Sequence, residues 1–491
     1  MSVLLLNQPW IDSAEEYGLR AGVRWAQIRK RDRSMPFHAF PYALACATSY
    51  LRAHGVEAEL RDSIALGEKK DQALRHIADR AHDVVVLETS TASIACDLEF
   101  CDAIKVLRPT TTVCLAGQHA TAMPEHVLRS SPADFVLIGE YEQTLLELCR
   151  GLAAGRAPAA RTKGLAFLRD GQVVDGGRHA PLDLRELPPP HRDPATVQTY
   201  NEPSAGFFPN ATVMTSRGCS FQCTFCVEAS LNYGPSSRFR YRPLENVREE
   251  ILALVTDHGV REIFFDDAFF TEKRALEISE LMEGLPVRLH WSCWIDRGLS
   301  EATLRRMKKA GCSGVKFGVE TFDPEIGLAA KKRVRRSAVE ALVRRCRKAG
   351  LLTHASYVFG LPGETRQTLE RTLEAAAALR TTSFQASIAI PIPGTELFDQ
   401  AQRNGWLRTT KWSEYEGQGS SVLRYEDLDE ADLLWAMTRA RRLKIRRLLQ
   451  NPVALSLYAI KLLRMMGPRE FLRDMQRKAG FLLARQAQPR R

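Results

Sequence analysis

At 491 residues, with 45% hydrophobic and 26% charged residues, the chain has the make-up of an ordinary globular protein and is too long for one core, so two or three domains are expected. Its 11 cysteines, in a chain with no secretion signal, argue against a disulfide scaffold and for a reducing compartment where thiolates are available to metals. The formal charge of +11 is concentrated: residues 439–491 hold 15 Lys and Arg against 2 acids, an excess of +13, so the rest of the chain is near neutral and the basic surface belongs to one end.

The opening Met-Ser-Val-Leu-Leu-Leu-Asn-Gln-Pro has no basic region and only a short apolar run, which reads as a strand. No stretch reaches the ~20 apolar residues of a membrane-spanning helix, and a cytoplasmic location is expected. From residue 3 to about 150, apolar runs alternate with amphipathic helical patterns, predicting strands over 3–6, 56–60, 84–87, 112–116 and 135–138. One intervening helix, over 41–54, carries Ala43, Leu44, Ala47, Tyr50 and Leu51 at helical spacing and stops at Gly55. This order predicts a doubly wound, flavodoxin-like parallel-sheet domain over 1–150, with ligand sites beyond the carboxyl ends of its strands. Asn7-Gln8-Pro9, Thr89-Ser90-Thr91, Gly117-Gln118-His119 and Gly139-Glu140 stand at those ends.

Residues 151–208 read as a linker, with a small hairpin over 164–168 and 172–175 and a proline run at Pro188-Pro189-Pro190. From 209 to 400 the alternation resumes, with strands over 213–216, 263–266, 287–292, 315–319, 354–359 and 384–390. This predicts a partial (β/α)6 barrel, whose working groups belong at the carboxyl ends of the strands. Residues 401–491 read as a basic helical C-terminal region in which apolar residues interleave with Lys444, Arg446, Arg447, Lys461, Arg464 and Arg473, broken at Pro452, Gly467 and Pro468. Such helices either lie on anionic lipid, as a peripheral membrane contact, or cover a domain with arginine stems packed outward. The run lacks stacking aromatics and no DNA-binding module is visible, so nucleic acid is not an expected partner.

The most informative string, Ser216-Arg-Gly-Cys-Ser-Phe-Gln-Cys-Thr-Phe-Cys226, follows the first barrel strand. Three thiolates, from Cys219, Cys223 and Cys226, hold three irons of a [4Fe-4S] cluster and leave the fourth open to a small molecule. A zinc knuckle or a reactive redox pair is the alternative, but zinc needs a fourth ligand and no second Cys/His pair follows at finger-like spacing. The other cysteines, such as Cys46, Cys114 and Cys149, sit in apolar patterns and read as buried and structural.

With Phe225 before the last cysteine and Arg-Gly ahead of the first, the run resembles the signature of the radical S-adenosylmethionine (SAM) enzymes. Phe264-Phe-Asp-Asp-Ala-Phe-Phe270, Gly314-Val-Lys-Phe-Gly-Val-Glu320 and Val358-Phe-Gly-Leu-Pro-Gly-Glu-Thr365 match that family in order and spacing. Pro41-Tyr-Ala-Leu-Ala45, Ala116-Gly-Gln-His-Ala-Thr-Ala-Met-Pro-Glu125 and Asp134-Phe-Val-Leu-Ile-Gly-Glu140 look like the cobalamin-binding domain that precedes many of its barrels. A flavodoxin-like domain without cofactor is the alternative there.

The resemblance implies that SAM binds the open iron through its amino and carboxylate groups. Reduction by an external donor such as flavodoxin or ferredoxin then cleaves it to methionine and a 5′-deoxyadenosyl radical. It also implies that Glu320 touches SAM, that Gly360 and Gly363 let backbone approach the adenine, and that Ser90, Thr91, Gly117, Gln118, Gly139 and Glu140 face cobalamin. Arg242 and Arg297 are candidates for the SAM carboxylate, with surface ion pairs as the alternative. Asp266 and Asp267 are candidates for a paired-carboxylate site, with a helix cap or solvated loop acid as the alternative for Asp267. The string Asp-x-His-x-x-Gly, which supplies a lower axial histidine in some corrin domains, is absent, and His119 is expected to be a polar loop residue.

No nucleophile elbow, His-Glu-x-x-His or phosphate loop is present, so the hard steps fall to cofactors. The reading that follows from the resemblance is methylation of an unactivated carbon of a small-molecule or lipid-like substrate. In it the radical removes a hydrogen atom, methylcobalamin delivers a methyl group, and a second SAM remethylates cob(I)alamin. Cobalamin-dependent cyclisation, rearrangement or oxidation is the alternative chemistry. Methylthiotransfer needs a second cluster on N-terminal cysteines, but Cys46, Cys96, Cys101 and Cys114 are scattered over helices and a strand. A non-catalytic redox module is disfavoured, because electron carriers close their coordination sphere.

Overall fold

The structure, a computed structural model, describes residues 1–491 except 12, 14, 21–25, 31–37, 160, 203–204, 235–238, 418–420 and 484–491. Strands β1 (Ser2–Asn7), β4 (Glu57–Asp62), β5 (Val84–Thr89), β6 (Thr112–Gly117) and β7 (Phe135–Leu137) form at the five expected places. Between β1 and β4 lies an unforeseen antiparallel hairpin, β2 (Glu16–Arg20) with β3 (Ala26–Lys30). The runs Val3–Leu6 and Val84–Leu87 are buried throughout, as continuous apolar strands covered on both faces must be. The sheet order β4-β1-β5-β6-β7 is the doubly wound one, and it reverses between β1 and β5, where such sheets open a crevice at their carboxyl ends. Arg20 holds the hairpin over that crevice through the buried carboxylate of Asp97 and the Gln8 carbonyl (2.7 Å).

The hairpin read as part of the linker, β8 (Leu165–Arg169) and β9 (Gln172–Asp175), is no free connector. It extends the first sheet antiparallel to β7, because Leu165, Ala166 and Phe167 are apolar enough to bury against that open edge. The proline run beyond it has no regular structure.

The second sheet runs β10 (Asn210–Val213), β13 (Glu262–Phe270), β14 (His290–Ile295), β15 (Cys312–Glu320), β16 (Leu352–Phe359) and β17 (Ser383–Ile388), six strands in sequence order and all parallel. This is the expected partial barrel. Its first strand ends three residues before the expected Ser216, because residues 214–217 leave the sheet. Ser216–Arg217 (β11) instead pairs antiparallel with Arg240–Tyr241 (β12), and this small ladder brackets the cysteine loop.

Helices Glu430–Gln450, Pro452–Met466 and Pro468–Leu483 form the C-terminal region, broken at the prolines and the glycine as expected. The first covers the barrel: Leu433, Ala436 and Ala440 enter its core, and Arg447 donates to the Ala376, Ala377 and Thr381 carbonyls. Among the described residues no helix is long and apolar enough to cross a membrane.

Candidate active site

The cysteine loop starts from a buried anchor. Asp267, on β13, accepts from the Thr215 backbone N–H (3.1 Å), the Thr215 hydroxyl (3.0 Å) and the Ser216 hydroxyl. Arg274 donates to the Thr215 hydroxyl and carbonyl at 2.9 Å each. Asp267 is therefore neither a helix cap nor an exposed acid: it sets where the loop leaves the barrel, and burial raises its carboxyl pKa. Its neighbour Asp266 faces the cavity described below.

Gly218, at φ +97, makes the turn into the loop. The Phe221 N–H then donates to Cys219 Sγ (3.4 Å) and the Cys226 N–H to the Cys223 carbonyl (3.0 Å). Thr224 pins the middle, donating to the Ala330 carbonyl (3.2 Å) and accepting from the Leu397 N–H (2.9 Å). The three thiols are half-buried, whereas seven of the other eight cysteines are buried. Burial pushes the Cys219 and Cys223 thiols up to about 11 and Cys226 to about 12, so metal binding here displaces three protons. Three thiols from one short loop, with every other cysteine set elsewhere in the fold, fit a [4Fe-4S] cluster that keeps one iron for a non-protein ligand.

Glu320 ends β15 at φ +63, a left-handed conformation costly for a residue with a Cβ. Its carboxylate folds back over Gly318, where a Cβ would sit 2.2 Å from Glu320 Oε1. Lys332 Nζ lies 3.7 Å from that oxygen, and the Ser356 hydroxyl donates to the other at 3.5 Å. Backbone strain held at a strand end in this way marks a positioned group. Lys332 also sits over the Phe221 ring at 5.4 Å, which brings it beside the cysteine loop. Nothing in the basic run Lys331-Lys332-Arg333 distinguishes it by sequence.

Arg297 braces the same strand end, donating to the Gly318 carbonyl (3.1 Å) and the Arg333 carbonyl (3.2 Å). Arg242 lies elsewhere. It is buried, paired with Glu250 (2.6 Å) and bonded to Asn246, the Tyr42 hydroxyl and the Met214 carbonyl, so it is structural. Gly360 (φ +83) and Gly363 (φ +85) require glycine for their backbone conformation; nothing lies within 4 Å of a Cβ built at Gly363, and one at Gly360 would rest 3.4 Å from Leu433.

A cavity of about 1630 Å³ separates the carboxyl ends of the first sheet from the inner face of the barrel. Ser90, Thr91, Gly117, Gln118, Gly139 and Glu140 all line it, and Phe225 and Cys226 reach it from the barrel side; Glu320, Gly360 and Gly363 lie off its wall. Gly117, at φ +98, stands where a Cβ would be 2.5 Å from the Thr89 carbonyl oxygen, so only glycine lets the strand end this close to its neighbour. Gln118 Nε2, the Tyr141 hydroxyl and Asn232 Nδ2 are buried on the cavity wall, without a hydrogen-bond partner among the described residues. Three orphaned polar groups carry a cost that a polar ligand removes, and they fit the amide-fringed edge of a corrin. His119 faces away from the cavity, set between Thr91 (3.4 Å) and His126 (3.2 Å), and burial takes its pKa down to about 3.

Glu140 belongs to a joint between the two sheets. Arg217, just ahead of Gly218 and Cys219, donates to Glu140 at 2.8 Å and to Glu142 at 2.5 Å. Arg240 takes the second Glu140 oxygen and the Leu182 carbonyl (2.6 Å). Beside it the Tyr42 hydroxyl donates to the Met214 carbonyl (3.1 Å) and accepts from Arg242 (2.9 Å). The carboxyl ends of the two sheets are thus locked face to face across the cavity.

A doubly wound sheet and a parallel half-barrel that share one cavity, with an incomplete cysteine set on the barrel's first loop, define an α/β enzyme whose chemistry resides in bound cofactors. The chain belongs to the radical SAM enzymes that carry a cobalamin-binding domain: residues 32–149 match the B12 binding domain and residues 213–376 the Radical SAM superfamily. An uncharacterized methyltransferase of Pyrococcus horikoshii is 33% identical over 340 residues, 68% of this chain and 72% of that protein. The anaerobic magnesium-protoporphyrin IX monomethyl ester cyclase of Cereibacter sphaeroides is 29% identical over 356 residues, 68% of this chain and 55% of that protein. Among solved structures, the radical SAM methyltransferase TsrM from Kitasatospora setae, with cobalamin and a [4Fe-4S] cluster bound, has the same fold, with a TM-score of 0.71 at 18% identity over 98% of this chain and 99% of that one. The cofactors of the family are a [4Fe-4S] cluster, SAM and cobalamin.

Proposed function

We propose that the protein is a cobalamin-dependent C-methyltransferase acting on an unactivated carbon of a small-molecule or lipid-like substrate. One observation carries this: a single cavity touches both Cys226 and the Gln118 wall, so one substrate carbon is reachable from both cofactor sites. In this reading Cys219, Cys223 and Cys226 hold the cluster, Glu320 with Lys332, Gly360 and Gly363 serve SAM, and Ser90, Thr91, Gly117, Gln118 and Gly139 hold the corrin. Glu140 acts as the joint. The bound cofactors supply a 5′-deoxyadenosyl radical and a transferable methyl group. The chain excludes water from that radical with Phe264, Trp294, Val358 and Phe384 along the cavity, and Glu320 orients a polar group at the strand end. Residues 1–150 with the β8–β9 hairpin are the corrin unit and 209–400 the SAM unit; 401–491 closes the barrel, and an external flavodoxin or ferredoxin supplies electrons.

Anaerobic reconstitution tests the reading. About four irons and one corrin per chain, release of 5′-deoxyadenosine on reduction, and a product heavier by one methyl group are expected. Alanine at Cys219, Cys223 or Cys226 abolishes all but corrin binding. A product that is cyclised or oxidised without gaining mass overturns methyl transfer in favour of the chemistry named for the similar cyclase.

A second reading, peripheral contact with an anionic membrane, is favoured by Leu449, Ile460, Leu463 and Leu472, which stand exposed on the basic C-terminal helices. The side chains of Lys461 and Arg464 and residues 484–491 lie outside the described residues. Removal of residues 439–491 without loss of liposome binding sinks it.

A further inference from the structure

Part of the C-terminal charge faces inward. Arg441, Lys444, Arg477 and Lys478 line the same cavity as Cys226, at the opposite end of the barrel. The helix Glu430–Gln450 carries them there: Leu433 packs beside Gly360, past the carboxyl end of β16, while Arg447 bonds Thr381, just before β17 begins. Lys444 follows Leu433 by eleven residues, which at 1.5 Å per residue is roughly 16 Å of helix. It is also the electrostatic neighbour of His354 near the start of β16.

Lys444 is exposed, and the space it opens onto is the cavity. Crowding by the surrounding protein depresses its pKa, and its charged neighbours Lys478, Arg29 and Arg441, all cations, act in the same direction. Among the described residues neither Lys444 nor Arg441 has a carboxylate partner; Arg441 rests on the Phe481 ring at 4.3 Å. Asp474 is held by Lys478 (2.5 Å), Arg477 (3.8 Å) and the Tyr458 hydroxyl (2.6 Å), and Glu416, on the same cavity, accepts from the Ile28 N–H (3.2 Å). Lys316, also on the cavity, is neutralised by Glu202 (2.9 Å). Clustered ammonium and guanidinium groups repel one another, and an anion in the cavity relieves that repulsion. Between this end and Cys226 the wall is largely apolar, with Phe264, Trp294, Phe384, Ile388 and Met437.

We propose that Lys444 and Arg441, supported by Lys478, form an anion subsite for a carboxylate or phosphate at one end of an otherwise apolar substrate, whose other end lies towards Cys226. This rests on reading the cavity as the substrate site for methyl transfer.

The test is calorimetric titration of the anaerobically reconstituted holoenzyme with octanoate, octyl phosphate and 1-octanol. At least one of the two anions is expected to bind tenfold or more tightly than the alcohol, and which one leads tells carboxylate from phosphate. Lys444→Gln should reduce that preference to below threefold while octanol binding stays the same, and Lys444→Arg should keep it. Equal affinity for octanol and both anions in the unaltered protein overturns the subsite, and that comparison needs no variant to fold. So does a preference that survives Lys444→Gln together with Arg441→Gln. Binding requires no turnover, so protein that shows the preference but never methylates rejects methyl transfer alone. Protein that methylates without the preference rejects the subsite alone.

Discussion

Replacing Arg217 by Met tests whether the two sheets are held together by charge. Methionine keeps an apolar stem and removes the guanidinium that bridges Glu140 and Glu142. Removing one partner of a buried ion pair costs ~3–5 kcal/mol, mostly because the remaining charge is stranded away from water. Glu140 keeps Arg240, so the loss falls on Glu142, whose side chain is 4% exposed. Its place in the first turn of the helix Glu142–Ala153 offsets part of the cost through the helix dipole. The lower figure, ~3 kcal/mol, is therefore expected. For a unit of 150–250 residues that lowers the melting temperature by roughly 6–12 °C. Scanning calorimetry under anaerobic conditions measures it, and adding Glu142→Gln to Arg217→Met should recover at least half, since a neutral amide leaves no stranded charge. A fall of less than about 2 °C, or a double variant no better than the single one, refutes the reasoning.

Gly117→Ala forces a Cβ to within 2.5 Å of the Thr89 carbonyl at φ +98, so it should cost ~3 kcal/mol and lower corrin content after reconstitution; unchanged corrin stoichiometry removes Gly117 from that wall. Glu320→Gly relieves the left-handed strain and should raise stability by ~1 kcal/mol while weakening SAM binding at least tenfold, which equilibrium dialysis and chemical denaturation read separately. Glu364 is buried against the Gly360 and Leu361 N–H groups, and burial lifts its pKa from 4.5 to about 8. Because the folded value lies above the unfolded one, its contribution is complete below pH 4.5 and is lost as pH rises through 8. Denaturant midpoints for Glu364→Gln should therefore fall less than wild type between pH 5 and 9, and equal slopes count against the assignment.

The elements whose residues are close in sequence were the legible ones. Apolar runs such as Val84–Leu87 announce buried parallel strands, and the spacing of Cys219, Cys223 and Cys226 points to a cluster because all three thiols lie on one loop. The β2–β3 hairpin escaped notice because Glu16-Tyr-Gly-Leu-Arg20 is short and places a buried arginine where a polar residue signals exposure; its partner Asp97 is 77 residues away. Lys332, Arg217 and Tyr42 were invisible for the same reason. Each acts through a contact with a distant segment, and a lone lysine, arginine or tyrosine in sequence carries no sign of its partner. Arg242 and Asp267 are the opposite case: their charge makes each a candidate ligand in sequence, with an ion pair or a cap as the alternative, but each is consumed by buried partners that only the fold brings near.

The joint at Arg217 bears on the chemistry as well as on stability. It lies one residue from Gly218 and two from Cys219, while Glu140 follows Gly139 on the cavity wall, so one guanidinium ties the loop proposed to carry the cluster to the loop proposed to carry cobalamin. An apolar contact of the same size would let the sheets slide. A planar group gripping two separate carboxylates has direction and tolerates little displacement. Two cofactors that act in turn on one carbon require a fixed separation, since a shift of about 1 Å in a reacting geometry can cost a hundredfold in rate. The buried charges at this interface serve registry more than binding energy, the use for which buried ion pairs are best suited. Arg217→Lys should accordingly keep most of the stability that methionine loses yet still slow product formation.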